Sequence, residues 1–134
     1  TFIADPLDTL EFGSTWDFSN WDFEAEQNTM SNIFAFVSSS GFSEDSMLVV
    51  EFSTVEEYPD PVAPSDSAEI WRDYEIVMAG GEHGGWDEPA IGRAVMYMVE
   101  DDYGLWALRK WEDYRPEDYT GDNYAFAVIK ASYR

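Results

Sequence analysis

The single histidine, His83, lies within Gly80-Gly81-Glu82-His83-Gly84-Gly85. A general base needs a fixed position and an orienting partner. A loop with four glycines supplies little rigidity, so His83 reads as a surface-loop residue. With no cysteine and no G-x-S-x-G elbow, nucleophilic chemistry lacks its usual parts. Asp73 and Glu75 are the other acid-base candidates. They stand two apart in a segment of β pattern and therefore share a face with Trp71 and Val77. In an apolar pocket one of these carboxyls would have a raised pKa and act as a base. In water the pair is simply the solvent face of a strand whose Tyr74, Ile76 and Met78 point inward, and alternation alone explains that arrangement.

Three acidic clusters raise the question of calcium: Glu56, Glu57 and Asp60; Glu100, Asp101 and Asp102; Glu117, Asp118 and Asp122. Ca²⁺ takes its ligands as six to eight oxygens, which each of these loops could help to supply. None follows the D-x-[DN]-x-[DN]-G loop. Solvated turns account for the clusters, and no metal or other cofactor is expected. Six Trp and eight Tyr are many for 134 residues. Exposed on a sheet, such rings stack on sugars or fill a partner interface. Trp71, Trp86 and Trp106 are the binding candidates. Trp86 stands out because it lies in the loop Gly85-Trp86-Asp87, whereas the other tryptophans fall mostly in apolar elements and default to core filling.

The charge balance narrows the partners. Seven Lys and Arg against 28 Asp and Glu give a net charge of −21. Five Arg and two Lys cannot build the basic face that a phosphate backbone requires, so nucleic acid is excluded and anionic membranes are disfavoured. A chain that is 45% hydrophobic and 17% aromatic has ample material for a core, which argues against disorder and for one globular domain over 1–134. No apolar run approaches the ~20 residues that span a bilayer. The chain begins at Thr1 directly in folded-looking sequence, and loss of an upstream segment is expected. Only two Lys beside so many acids fits a high-salt, halophilic setting.

The elements that must position these residues follow from periodicity. Phe2-Ile3 reads as a short strand running into a turn at Asp5-Pro6. Ser19 is placed to cap a helix with Asp22 at its third position. Phe23, Met30, Ile33, Phe34 and Val37 then form one helical stripe, which Ser38-Ser39-Ser40-Gly41 ends. Four strands are predicted at 47–54, 69–79, 91–100 and 105–114. The last three are joined by turns too short for crossover helices, so an antiparallel meander is the economical topology. The tail, 124–134, suits either a last strand or a short helix. Together these elements predict an α+β fold, a curved antiparallel sheet packed on a helix.

The segment Tyr103-Gly104-Leu105-Trp106-Ala107-Leu108-Arg109-Lys110-Trp111-Glu112-Asp113 resembles the closing strand of the nuclear transport factor 2-like, or SnoaL-like, superfamily. There a turn glycine is followed by a Trp, an aliphatic residue two on, and often a second Trp with a nearby Asp. Asp5-Pro6, the Trp21 to Phe34 helix with Glu24 and Glu26, and the Ile129-Lys130-Ala131 tail are similar to uncharacterised bacterial lipoprotein-type members. The resemblance implies a cone-like scaffold around a pocket, and an extracytoplasmic or cell-surface location. Ketosteroid-isomerase-like members use a pocket carboxylate with a Tyr or acid donor, which here implies Asp73 or Glu75 with Tyr97. Members usually begin with one or two more helices than this chain shows, so its pocket is expected to be open on one side or closed by another chain.

The expectation drawn from these features is a non-catalytic binding or self-assembly domain, homo-oligomeric, with room for a small apolar or glycan ligand. The alternatives are an isomerase- or hydratase-like enzyme using Asp73, Glu75 and Tyr97, and a carbohydrate-binding domain using Trp86. Superfolds host many functions, so the fold alone does not choose among them.

Overall fold

The structure is a computed structural model and describes residues 1–39, 48–62, 66–78, 89–116 and 124–134. Its elements run β1 (Phe2–Ile3), α1 (Pro6–Phe12), α2 (Phe23–Ser39), β2 (Leu48–Thr54), β3 (Ser67–Met78), β4 (Ala90–Glu100), β5 (Trp106–Tyr114) and α3 (Phe126–Ser132). The fold is α+β, with one five-stranded sheet in the order β1-β5-β4-β3-β2. The strands β3 to β5 form the expected antiparallel meander, and β2 pairs antiparallel with β3 as well. The sheet as a whole is mixed, because β1 joins β5 in parallel through Phe2↔Trp111 and Ile3↔Glu112.

Asp5-Pro6 opens a helix where a turn was expected. The Asp5 carboxylate accepts from Leu7 N at 2.7 Å and Pro6 takes the first helical position, where its missing N–H costs nothing. Arg115, just past β5, fastens α1 to the sheet by ion pairs to buried Asp8 and to Glu11. The long helix α2 starts at Phe23 because Asp22, and not Ser19, caps it by accepting from Ala25 N at 2.9 Å. Ser19 is instead held by Asp17, and Asn20 turns the chain at φ 51°. Of the predicted stripe, Ile33 and Val37 are buried and Met30 packs against them, whereas Phe23 and Phe34 are exposed.

The sheet curls toward α2 and α3. Phe52 on β2 and Trp111 on β5 have β3 and β4 between them, which on a flat sheet is about 14 Å of separation. Their ring centroids are 6.3 Å apart. On this concave face Ile33 and Val37 of α2, Tyr74, Ile76, Ala90 and Ala94 of the sheet, and Phe126 and Ile129 of α3 form one buried cluster. The tail is thus the short helix of the two alternatives, and six of its seven residues, Lys130 among them, are buried.

Candidate functional site

Alternation assigns each strand residue to a face. Ala68, Ile70, Tyr74 and Ile76 of β3 share the concave side with Met96, Met98, Trp106, Leu108 and Trp111 of their neighbours. α2 and α3 cover the Tyr74–Ile76 end. Among the described residues no helix covers the opposite end, where two hollows lie. One, of about 260 Å³, is lined by Asp60, Pro61, Ala68, Ile70, Met98 and Trp106. The other, of about 220 Å³, lies between β1, the start of α2 and β5, and is lined by Phe2, Phe23, Leu108 and Trp111 with Asp22, Glu26 and Arg109 at its edge. Leu108 and Met98 are cross-strand partners, so the two hollows adjoin. Phe23 is 81% exposed, Leu108 48% and Trp106 41%. An apolar surface of this kind, rimmed by polar groups, is what interaction sites present.

The rim is mostly acidic, and two of its carboxylates, Asp60 and Glu26, are held by cations. Asp60 takes a bidentate pair of bonds from Arg72, at 2.7 and 2.6 Å, which holds its carboxyl below the usual carboxylate range. Glu26 accepts from Trp21 Nε1 and from Lys130 Nζ, both at 2.6 Å. Lys130 is 2% exposed, and its ammonium lies 3.5 Å from the Phe2 ring centroid, with the Trp21 and Phe126 rings also near. Burial pulls its pKa down while Glu26 pulls it back.

Asp73, Glu75 and Tyr97 stand on the convex face, behind the hollows. Asp73 is paired with Arg93 at 2.7 Å. Glu75 is exposed, and with Glu51 and Ser53 the two carboxylates line an open depression of about 240 Å³. Tyr97 does not join them. In register it lies beside Glu69, and its hydroxyl donates to Glu112 at 3.1 Å. Burial and that carboxylate raise its pKa. The structure therefore does not gather these three residues around one cavity, and their positions are those that strand alternation alone dictates.

The tryptophans divide in the same way. Trp106 lines a hollow. Trp71 is on the convex face, stacked on Tyr58 at 4.0 Å with its Nε1 donating to Glu69 at 2.6 Å. Trp86 and His83 lie outside the described residues, as do Glu117, Asp118 and Asp122. Among the described residues no group of three or more His, Cys, Asp or Glu could hold a metal ion. Asp101 is instead a turn-former, its carboxylate accepting from Tyr103 N and Leu105 N at 2.9 Å each. Among the described residues no helix is long and apolar enough to cross a membrane.

The group that sequence reasoning missed is Asp113. It is completely buried and accepts from Tyr74 Oη at 2.7 Å and from Ala127 N at 2.6 Å. Tyr74 in turn accepts from Phe126 N at 2.7 Å. Burial pushes the Asp113 pKa up to about 7, against the lowering effect of Tyr74, Ala127 N and Lys130. A general base must reach the proton it removes. Both oxygens of Asp113 are already engaged and enclosed, so its role is to hold α3 in place. Face parity was the available signal: Asp113 is two residues from Trp111 and so faces inward with it.

No family model, no curated protein and no solved structure matches this chain.

Proposed function

We propose that this is a non-catalytic binding or self-assembly domain, built on a cone-like, nuclear transport factor 2-like scaffold and acting outside the cytoplasm. One observation carries the reading: the apolar end of the concave face, with Phe23, Trp106 and Leu108 exposed around two adjoining hollows. The helix-on-sheet arrangement and the Trp106–Trp111 strand support the scaffold. This apolar end suits a domain that receives an apolar group from a small molecule or a partner. The enzyme alternative finds no comparable support, since its two carboxylates line an open depression on the opposite face and Tyr97 does not join them.

A neutral apolar dye such as Nile red tests the site without interference from the net charge of −21. Leu108→Asp and Trp106→Ala are expected to weaken dye binding by about tenfold or more, since each removes apolar contact at the hollow. Asp73→Asn and Glu75→Gln are expected to leave it unchanged. Dye affinity indifferent to Leu108 and Trp106 would remove the hollows as the binding site.

A further inference from the structure

The strand β2 ends the sheet, and among the described residues it has a neighbour on one side only. An edge strand presents unpaired N–H and C=O groups, a template for another strand unless a charge, a proline, a bulge or a covering element blunts it. The opposite edge is blunted. There β5 carries Arg109 and Lys110, its ladder with β4 is interrupted between Tyr97 and Met98, and β1 covers Trp111 and Glu112. Among the described residues β2 has only one of these devices, the charge of Glu51. Its sequence, LVVEFST, contains one charge and no proline, and it pairs with β3 without interruption from Leu48↔Met78 to Thr54↔Arg72.

β2 exposes apolar side chains on both faces, with Glu51 and Ser53 beside Val49 on the convex one. Val49 stands beside Val77 on the convex side, while Val50 and Phe52 stand on the concave side at 44% and 49% exposure. A strand added here must be apolar on the concave side, against Val50 and Phe52, and must accommodate Glu51 and Ser53 on the convex side. β2 is itself such a strand, and it carries fewer charges than β3, β4 or β5. In a chain of net charge −21, a β2–β2 ladder thus has one carboxylate per copy, Glu51, to keep apart.

We infer that β2 is a strand-addition site whose occupant is β2 of a second copy, paired antiparallel about a two-fold axis so that the two sheets become one. Like charges directly opposite each other destabilise a ladder. The axis therefore does not pass at Glu51, which would face its own copy. Centred on Phe52, the pairing sets Glu51 against Ser53; centred on Val50, it sets Glu51 against Val49. This inference rests on the assembly arm of the proposed function and uses the backbone edge of β2 rather than the hollows, which Phe52 reaches only through its contact with Trp111.

The absence of cysteine makes the test direct. Single-cysteine variants Val50→Cys and Phe52→Cys are compared with Tyr103→Cys, whose residue is 89% exposed and far along the chain from β2. Disulfide-linked dimer is followed with copper phenanthroline as oxidant, and sedimentation gives the mass of the unmodified protein. The unmodified protein is expected to dimerise at tens of micromolar, more so at about 1 M than at about 0.1 M NaCl because the net charge is then screened. One of the two β2 variants is expected to cross-link about tenfold faster than Tyr103→Cys, since a residue on the axis meets its own copy. Val50→Lys is expected to be monomeric; if it fails to fold by circular dichroism, the cysteine series decides alone. A monomer at about 100 µM in high salt, or β2 cysteines no faster than Tyr103→Cys, overturns the inference. A dimer that survives Val50→Lys but is lost in Leu108→Asp also overturns it, while leaving assembly through the hollows standing.

Discussion

Tyr74 on β3 and Asp113 on β5 meet across β4 with the phenol hydroxyl 2.7 Å from the carboxylate, and together they hold the first two amides of α3. α3 has no side-chain cap of its own at Ala125. Orphan amides at a helix start need partners, and here the sheet supplies them. The phenol reaches its place over Gly92, where a Cβ would lie 2.3 Å from Tyr74 Oη and 2.7 Å from the Tyr114 carbonyl oxygen. The backbone contact cannot be relieved by rotating a side chain.

Removing the hydroxyl in Tyr74→Phe leaves Phe126 N–H and one Asp113 oxygen unpaired in the core. The expected loss is about 2–4 kcal/mol of unfolding free energy, from one or two buried unsatisfied groups. Gly92→Ala is expected to destabilise as well by displacing the same ring. Urea denaturation measures both, and a Tyr74→Phe protein as stable as its parent would remove the clamp from the account of the fold.

The Asp113 pKa fixes a pH dependence. Its folded value, about 7, lies above the ordinary 3.8, so between these values the folded state holds a proton that the unfolded state has lost. Stability from this group is then full below pH ~4 and declines as pH rises, by at most ~1.4 kcal/mol per unit, until about pH 7. Asp8 is raised by burial as well and acts in the same sense. Asp60 and Glu112, both lowered, act oppositely, and their contributions fade as pH drops through their depressed values. Maximum stability is expected in mild acid. Denaturation series from pH 4.5 to 8 check this, and Asp113→Asn is expected to flatten the decline (~1.4 kcal/mol per unit at most) whatever it does to absolute stability.

The meander and α2 were legible in the sequence because alternation, a helical stripe and short turns all act locally. What escaped depends on distant partners. Asp5-Pro6 opens a turn or a helix equally well, and the seven residues of α1 show too little period to decide; Arg115, 107 positions on from Asp8, helps to hold them. The parallel β1–β5 pairing joins residues 2 and 111. Phe126–Ser132 carries no stripe because six of its seven residues are buried. At the site, Trp106 was found by its motif. Trp71 and Trp106 share a residue type and a strand setting, and only register places them on opposite faces.

Lys130 and Glu26 form a pair in which the cation is enclosed and the carboxylate is one-third exposed. Removing the carboxylate in Glu26→Ala strands an ammonium among Phe2, Trp21 and Phe126. The expected cost is at the low end of the ~3–5 kcal/mol for breaking a buried pair, because water reaches Glu26. Lys130→Met keeps the volume and removes the charge to be solvated, so it is expected to be far milder, within about 1 kcal/mol of the parent. If the two variants lost equal stability, packing at Lys130 and not its charge would be what matters.

The net charge of −21 makes the fold itself sensitive to salt. Glu51 and Glu75 are direct cross-strand partners on the convex face, and Asp101 and Asp102 are adjacent in one turn. Such separations lie inside the screening length of about 8–10 Å at 0.1–0.15 M salt, so these carboxylates repel one another where screening is weak. Opposing them are few cations, and Arg72, Arg93, Arg115 and Lys130 are each committed to a carboxylate partner. Added salt weakens the repulsion over the whole surface but reaches the enclosed Asp8–Arg115 and Lys130–Glu26 pairs much less. The melting temperature is therefore expected to rise from about 0.1 to about 1 M NaCl, and a potassium salt of the same concentration should act alike if screening is the cause. A flat or falling response would mean that the exposed Arg72–Asp60 and Arg93–Asp73 pairs lose as much to screening as the carboxylate repulsion does. Arg72→Gln in the same salt series would then isolate the share of the first of those pairs.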